Sequence, residues 1–350
     1  MDAGITLDEL GLAARNHGMP LEALQYDVTP VGLHYLLTHY DIPVIDGATW
    51  RLTIGGQVRH PLELTLDDLR AMPAVTRRVT MECAGNGRAL LDPRPLSQPW
   101  LLEAVGTGEW TGVALMDVLA EAGLAPGAEE VVFTGADRGL EHGVEQDYAR
   151  SLPVATAAGP DALLAYALNG AALPPQHGFP LRLVVPGWYG MTNVKWLTTI
   201  TVVDAPFAGY QQQTSYRLRQ REDDQGEPLT LMMPRALMVP PGIPDFLTRA
   251  RSVAAGDHQL VGRAWSGGAP VSEVAVSTDG GATWAQAHVD ERTELGAWQA
   301  WRCAWQARPG TSELWCRASD AAGNTQPVHP VWNLGGYSNN AVQRVSVQVT

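Results

Sequence analysis

Between Gln211 and Pro244 the text of the chain changes character. Three glutamines in a row lead into a charged run, Arg217 to Asp224, and prolines follow at Pro228, Pro234, Pro240, Pro241 and Pro244. Such a stretch interrupts both helical and strand periodicity, so the chain must fold as two units on either side of it. The length of 350 residues points the same way, because a single core seldom serves so long a chain. The expected division is a first domain over residues 1–209, a linker over 210–235 and a second domain over 236–350.

Before the break, helices and strands alternate. Leu7 to Asn16 reads as a short helix in an otherwise irregular arm, and Arg51 to Val58 as a strand running into a Gly-Gly turn. Thr65 precedes two acids and an apolar spacing of three, the signature of a capped helix start. Leu115 to Ala122 reads as a helix stopped by Gly123, and Val131 to Gly135 and Leu181 to Pro186 as buried strands. After the break no helix signal survives. Short strands around Gln259–Trp265, Glu273–Ser277 and Trp298–Trp305 are separated by glycine-rich turns, the pattern of an immunoglobulin-like β-sandwich. The fold class is α+β, a mixed α/β domain followed by that sandwich.

Hydrophobic residues make up 45% of the chain and charged ones 17%, which describes a globular protein. A net charge of −13 excludes the basic footprint that nucleic acid or an anionic membrane surface requires. No run approaches the roughly 18 apolar residues of a membrane span, and the first 30 residues lack the apolar heart of an export signal. The expected location is the cytoplasm, or the periplasm if a leader has been removed. Cys303 and Cys316 flank Arg308-Pro309-Gly310, and a tight turn there would set them opposite each other on paired strands. The plainer reading is two small buried residues in a β core.

Chemistry concentrates in two places. Met81-Glu82-Cys83-Ala84-Gly85-Asn86-Gly87-Arg88 puts a thiol where an apolar strand gives way to an open, donor-rich loop, within reach of a metal. His177, Arg182 and Lys195 gather three potential cations beside strand ends and glycines, a set suited to a phosphate. Neither a P-loop nor a strand-GxGxxG-helix unit is present. Zinc is disfavoured by the lack of a CxxC pair and by the spacing of His34 and His39, and no Gly-x-Ser-x-Gly elbow supports a hydrolase.

Taken in order, Cys83-Ala84-Gly85-Asn86 with Arg88, Ala165-Tyr166, His177-Gly178-Phe179-Pro180 with Arg182 and Val194-Lys195-Trp196 resemble the sulfite oxidase family of molybdopterin enzymes. Ala264-Trp265-Ser266-Gly267-Gly268, Asp279-Gly280-Gly281-Ala282-Thr283-Trp284 and Val331-Trp332-Asn333-Leu334 extend the resemblance, which covers about residues 26 to 349. It implies a molybdopterin-binding first domain and a dimerising second one, hence a homodimer. Cys83 would be the protein ligand to molybdenum. The molybdopterin would be held by His34, Tyr35, Leu36, Leu37, Thr38, His39, Asp137, His177, Arg182, Asn193, Val194 and Lys195. Tyr166 would be the active-site phenol, and Arg88 and Trp100 would line an anion pocket.

The implied chemistry is oxygen-atom transfer to a small substrate, with sulfite oxidised to sulfate and electrons passed to an external acceptor, a cytochrome or other carrier. Leu37, Thr192 and Gly335 stand where the family usually has arginine. Each missing cation removes a charge-assisted hydrogen bond of roughly 1.5 to 3 kcal/mol. Two alternatives follow: reduction of S- or N-oxides on the same cofactor, and a non-catalytic binding protein on the same fold.

Overall fold

The computed structural model describes residues 4–291, 294 and 296–350. In the first unit, two sheets share a common core. One five-stranded sheet runs in the order Leu62–Leu64, Leu52–Gly56, Leu197–Val203, Glu130–Glu141, Val144–Pro153. Its central pair, Leu52–Gly56 and Leu197–Val203, is parallel, with Thr53 opposite Thr199. The second sheet pairs Ala74–Glu82 with Val105–Ala114 and then Leu163–Leu168, which also carries Arg182–Val184.

Strand Leu163–Leu168 shows why this sheet forms the middle layer. Successive side chains point to opposite faces. Leu164 enters a core with Leu52, Phe133 and Ile200, while Leu163, Ala165 and Leu168 enter another with Val79, Met81, Cys83 and Trp110. Both faces are therefore covered, and the second of these cores reaches the thiol.

The helices close the outer layer as the text foretold. The Thr65 hydroxyl accepts from the Asp68 N–H at 3.0 Å and the Asp68 carboxylate accepts from the Thr65 N–H at 2.8 Å, a reciprocal cap for Leu66–Ala71. Helix Leu115–Ala122 buries Leu115, Val118, Leu119 and Ala122 and ends at Gly123, whose φ of 65° suits a residue without Cβ.

The second unit is a sandwich. Four strands, Arg235–Met238, Gly256–Trp265, Gln299–Ala307 and His288–Val289, face six, among them Val271–Ser277, Gly310–Asp320 and Gln343–Val349. Along Gln343–Val349 every second residue is buried, so Val345, Val347 and Val349 point into the core with Trp301, Trp305 and Leu314.

Two expectations are corrected here. Cys303 and Cys316 do not oppose each other: Cys303 is opposite Leu260 in one sheet, and Cys316 is opposite Val276 and Gln343 in the other. The turn at Pro309-Gly310 carries the chain across the sandwich instead of closing a hairpin, and both thiols are free. The segment 210–235, for all its linker composition, is packed. Tyr216, Leu229 and Met232 are buried in a cluster with Ala84 and Met191 from the first unit and Leu237, Trp265 and Trp298 from the second. That third core fixes the two units together.

Candidate active site

The strand Ala74–Glu82 delivers Cys83 to the junction of the two units. The Cys83 N–H donates to the Ala104 carbonyl at 2.9 Å, and the Gly85 N–H points at the sulfur, 3.4 Å away. At Gly87 the backbone takes φ +91°, and a Cβ there would lie 2.7 Å from the Asn339 carbonyl oxygen, so only glycine permits the approach.

The second unit holds this loop in place. Arg235 Nε lies 2.8 Å from Glu82 Oε1, with both side chains 2% exposed. Trp265 Nε1 donates to Glu82 Oε2 at 2.9 Å, and the Asn86 amide donates to Glu82 Oε1 at 3.0 Å. Arg235 also donates to the Asn339 carbonyl, Asn339 donates to the Gly87 carbonyl at 2.7 Å, and the Ser338 N–H donates to the Ala84 carbonyl at 2.7 Å.

Cys83 opens onto a cleft beside the junction of the two units. Its floor is cationic. Arg182 donates to the carbonyls of His177 at 3.0 Å and Asn193 at 3.1 Å, and its guanidinium carbon lies 4.7 Å from the centre of the Trp110 ring. Lys195 Nζ donates to the Leu37 and Gln176 carbonyls at 2.9 and 3.1 Å, which leaves one of its three N–H bonds for a ligand. Burial, then His34, Arg182 and Lys195 nearby, push the His177 ring down to about 2. Burial pushes Lys195 down and, across from it, Asp137 up, so neither charge is comfortable there.

Several buried polar atoms at the cleft have no protein partner: His34 Nε2, Asp137 Oδ1 and Arg182 Nε. His34 Nδ1 lies 3.1 Å from the Tyr35 carbonyl, which can only accept, so the neutral ring presents Nε2 as a bare lone pair. Burial keeps that ring neutral, lowering it to about 4. The cleft thus offers unsatisfied acceptors, an unsatisfied guanidinium N–H and a soft thiol. A pterin with ring N–H groups and a phosphate supplies the complements of all three, so the residues present fit molybdopterin. Among the described residues no group of three or more His, Cys, Asp or Glu side chains converges. The protein's share of a metal's coordination here is the one thiol, and the other ligands must arrive with the organic group. Burial, the leading influence, pushes the Cys83 thiol up, opposed by Arg88, the Gly85 N–H and the Trp100 indole. A coordinated metal would override burial and hold the sulfur as thiolate.

Of the residues singled out in the sequence, His34, Tyr35, Leu36, Leu37, His39, Cys83, Asp137, His177, Arg182, Asn193 and Lys195 all line the cleft. Thr38 and Val194 stand behind it. The Thr38 N–H donates to Asn16 Oδ1 at 2.7 Å, and Val194 is core. Arg88 is beside the thiol but engaged, donating to Gly335 O at 3.0 Å and to Ser97 Oγ and Gln98 O at 3.2 Å. Trp100 packs in the same cluster as Cys83. Thr192, one of the three positions read as lacking a cation, is buried with an unpartnered hydroxyl.

Tyr166 is misplaced by the sequence reading. It sits in strand Leu163–Leu168, packs against the first core and does not line the cleft. The strand is bulged here: Thr111 pairs with Ala167 and Gly112 with Ala165, so Tyr166 is the extra, unpaired residue, and its neighbour Ala165 is the one in the cluster of Cys83. The phenol at the cleft belongs to Tyr216, from the segment of linker composition. Its hydroxyl is hydrogen-bonded to His39 Nε2, its ring lies 5.7 Å from the Arg150 guanidinium and 5.2 Å from the Tyr337 ring, and burial keeps it protonated. Met81, Tyr148, Gly190 and Met191 complete the lining and carried no signal of their own.

Comparison with known proteins agrees with this geometry. Residues 39–211 match the family described as oxidoreductase molybdopterin binding domain, and residues 243–350 match the Mo-co oxidoreductase dimerisation domain. The mitochondrial sulfite oxidase of Mus musculus is 35% identical over 341 residues, covering 92% of this chain and 62% of that protein. The chain thus spans less than two thirds of the mammalian relative's length. A nitrate reductase of Hordeum vulgare is 34% identical over 351 residues, covering 92% of this chain and 39% of the reductase. Among solved structures, the sulfane dehydrogenase SoxCD from Paracoccus pantotrophus superposes with a TM-score of 0.82 at 26% identity, covering 99% of this chain and 91% of that one.

Proposed function

The chain belongs to the sulfite oxidase family of molybdopterin oxidoreductases, and from that premise we propose that it oxidises sulfite to sulfate and passes the electrons to an external acceptor. The observation that supports this most is the buried Cys83 thiol with the Arg88 guanidinium acting on it, at the end of a cleft whose unpaired polar atoms match the cofactor. When bound, the molybdenum cofactor supplies oxygen-atom transfer, and the overall change is sulfite plus water to sulfate, two protons and two electrons.

The residues then have distinct tasks. Cys83 holds the metal as thiolate. His34, Asp137, His177, Arg182, Asn193 and Lys195 hold the organic part and its phosphate, and the carbonyl contacts of Arg182 and Lys195 keep those two cations from moving when it binds. Arg88 acts through its potential: its bonds to Gly335, Ser97 and Gln98 fix the guanidinium near the Cys83 thiolate, where it favours an anion. Tyr216 presents a neutral hydroxyl whose proton is shared with His39.

Because Leu37, Thr192 and Gly335 add no charge, sulfite binds less tightly than three further cations would allow, and a raised KM is expected. The engagement of Arg88 also favours a second reading, reduction of a less charged S- or N-oxide. The molybdenum-loaded protein tests both. Sulfite-dependent reduction of ferricyanide, with no oxidation of reduced methyl viologen by nitrate, S-oxides or N-oxides, supports the first; the opposite pattern replaces it with the second. The dimerisation domain leads us to propose a homodimer, with twice the chain mass of 37.7 kDa in sedimentation equilibrium.

A further inference from the structure

Arginines are buried in this protein in two ways. Arg235, Arg251 and Arg263 each face a carboxylate, 2.8 Å from Glu82, 2.6 Å from Glu22 and 2.8 Å from Asp27. Arg88, Arg150 and Arg182 are as deeply buried, but among the described residues none of them has an ion pair, and they donate to backbone carbonyls instead. A guanidinium does not lose its proton inside a protein, so a buried one without a counter-charge is costly and points to an anion that arrives from outside. Arg88 and Arg182 already have such a task, beside the thiol and on the cationic floor. Arg150 has none.

The position of Arg150 supplies one. It extends from strand Val144–Pro153 and is 2% exposed, with one N–H donating to the Gln211 carbonyl and its Nε without a partner. Glu130, a carboxylate that acts on it from further off, is engaged elsewhere, accepting from the Phe207 N–H at 3.0 Å. The guanidinium carbon lies 5.7 Å from the centre of the Tyr216 ring, the phenol that lines the cleft. Tyr216 lies 5.2 Å from the Tyr337 ring, and Tyr337 lies 5.0 Å from the guanidinium carbon of Arg88. A row of arginine, tyrosine, tyrosine and arginine therefore runs from the sheet to the loop of Cys83. It passes one of the three positions that add no charge: a Cβ at Gly335 would meet carbons of the Tyr337 ring at 2.3 and 2.5 Å, so that ring fills the space a side chain at 335 would enter.

We propose that Arg150 determines specificity for an oxyanion substrate: its unpaired charge, acting across the Tyr216 ring, draws the anion to the Tyr216 hydroxyl and replaces one of the cations that Leu37, Thr192 and Gly335 do not supply. This deepens the reading above and rests on the substrate being an oxyanion. Arg150 is a positioning residue, since it stacks on Tyr216 and does not itself line the cleft. Its field reaches the anion through a buried region where salt screens little, so the charge at position 150, more than its shape, sets the affinity.

The test compares Arg150→Met and Arg150→Lys with the wild type as molybdenum-loaded enzymes. Arg150→Met should raise the KM for sulfite about tenfold or more while kcat stays within about twofold, and the Kd for sulfate, measured by calorimetry, should rise in parallel. Arg150→Lys restores the charge and should bring both constants back to within about threefold of the wild type. Unfolding in urea separates this from a structural role: a cation without a counter-charge stabilises nothing, so the midpoint of Arg150→Met should be no lower than that of the wild type. An unchanged KM and sulfate Kd in Arg150→Met, an equal loss in Arg150→Lys, a wild type that does not bind sulfate, or a fall in the urea midpoint as large as that of Arg235→Met would overturn the proposal. Sulfate affinity that depends on Arg150 in an enzyme that does not oxidise sulfite would leave Arg150 assigned to an oxyanion and remove sulfite as the substrate.

Discussion

Replacing Arg235 with Met tests whether the second unit is part of the active site or merely attached to it. The guanidinium is 2.8 Å from the Glu82 carboxylate, both side chains are 2% exposed, and Glu82 is the residue before the metal ligand. Arg235→Met leaves that carboxylate inside the protein with only the Trp265 and Asn86 donors, and it strips the Asn339 and Asn86 carbonyls of their bonds. Removing one partner of a buried pair costs about 3–5 kcal/mol, mostly through the charge left behind. Urea titration followed by tryptophan fluorescence should show a loss of that size. Glu82→Gln/Arg235→Met should be more stable than Arg235→Met alone, because the amide still accepts from Trp265 without carrying charge. A loss below about 1 kcal/mol in the single variant, or a double variant whose loss is the sum of the two, would refute the reasoning.

Other consequences are as direct. Tyr216→Phe should lower kcat for sulfite well below wild type while Tyr166→Phe leaves it unchanged; steady-state kinetics on matched molybdenum contents decides, and the reverse order would reinstate Tyr166. His34 is held at about 4 in the fold against 6.5 ordinarily, chiefly by burial, so its neutral form stabilises the cofactor-free protein fully above about pH 6.5. That contribution, roughly 3 kcal/mol, is lost as the pH falls toward 4, and His34→Gln should flatten the pH dependence of unfolding across that window. Alkylation of the denatured, unreduced protein should label all three cysteines, since Cys303 and Cys316 lie in different sheets.

What the sequence revealed and what it concealed have physical causes. Caps and turns are local, so Thr65 with Asp68 and the glycine at 123 declared their helices without help from the rest of the chain. The cleft was nearly legible because its cations and histidines cluster along short stretches, 34–39 and 177–195. Tyr166 was chosen by its place in a motif, but it is the extra residue of a β-bulge that the sequence does not announce, and Ala165 faces the cluster of Cys83 instead. Tyr216 was concealed by the company it keeps: glutamines, charges and prolines spell a linker, and only the contact of both units at Trp265, Trp298 and Met191 buries it. Cys303 and Cys316 are free, as the plainer reading had it; the alternative of opposed strands fell because a Pro-Gly turn can close a hairpin or cross a sandwich, and the choice depends on which sheet needs the next strand.

The central claim is that Cys83 and the orphaned donors and acceptors around it hold molybdenum on molybdopterin. Metal analysis by mass spectrometry, with pterin fluorescence after denaturation, measures this on protein made in a host that synthesises the cofactor. Wild type should carry about one molybdenum and one pterin per chain, and Cys83→Ser should lose the metal while circular dichroism shows the fold unchanged. Protein without molybdenum from such a host, or full metal content in Cys83→Ser, would contradict the account.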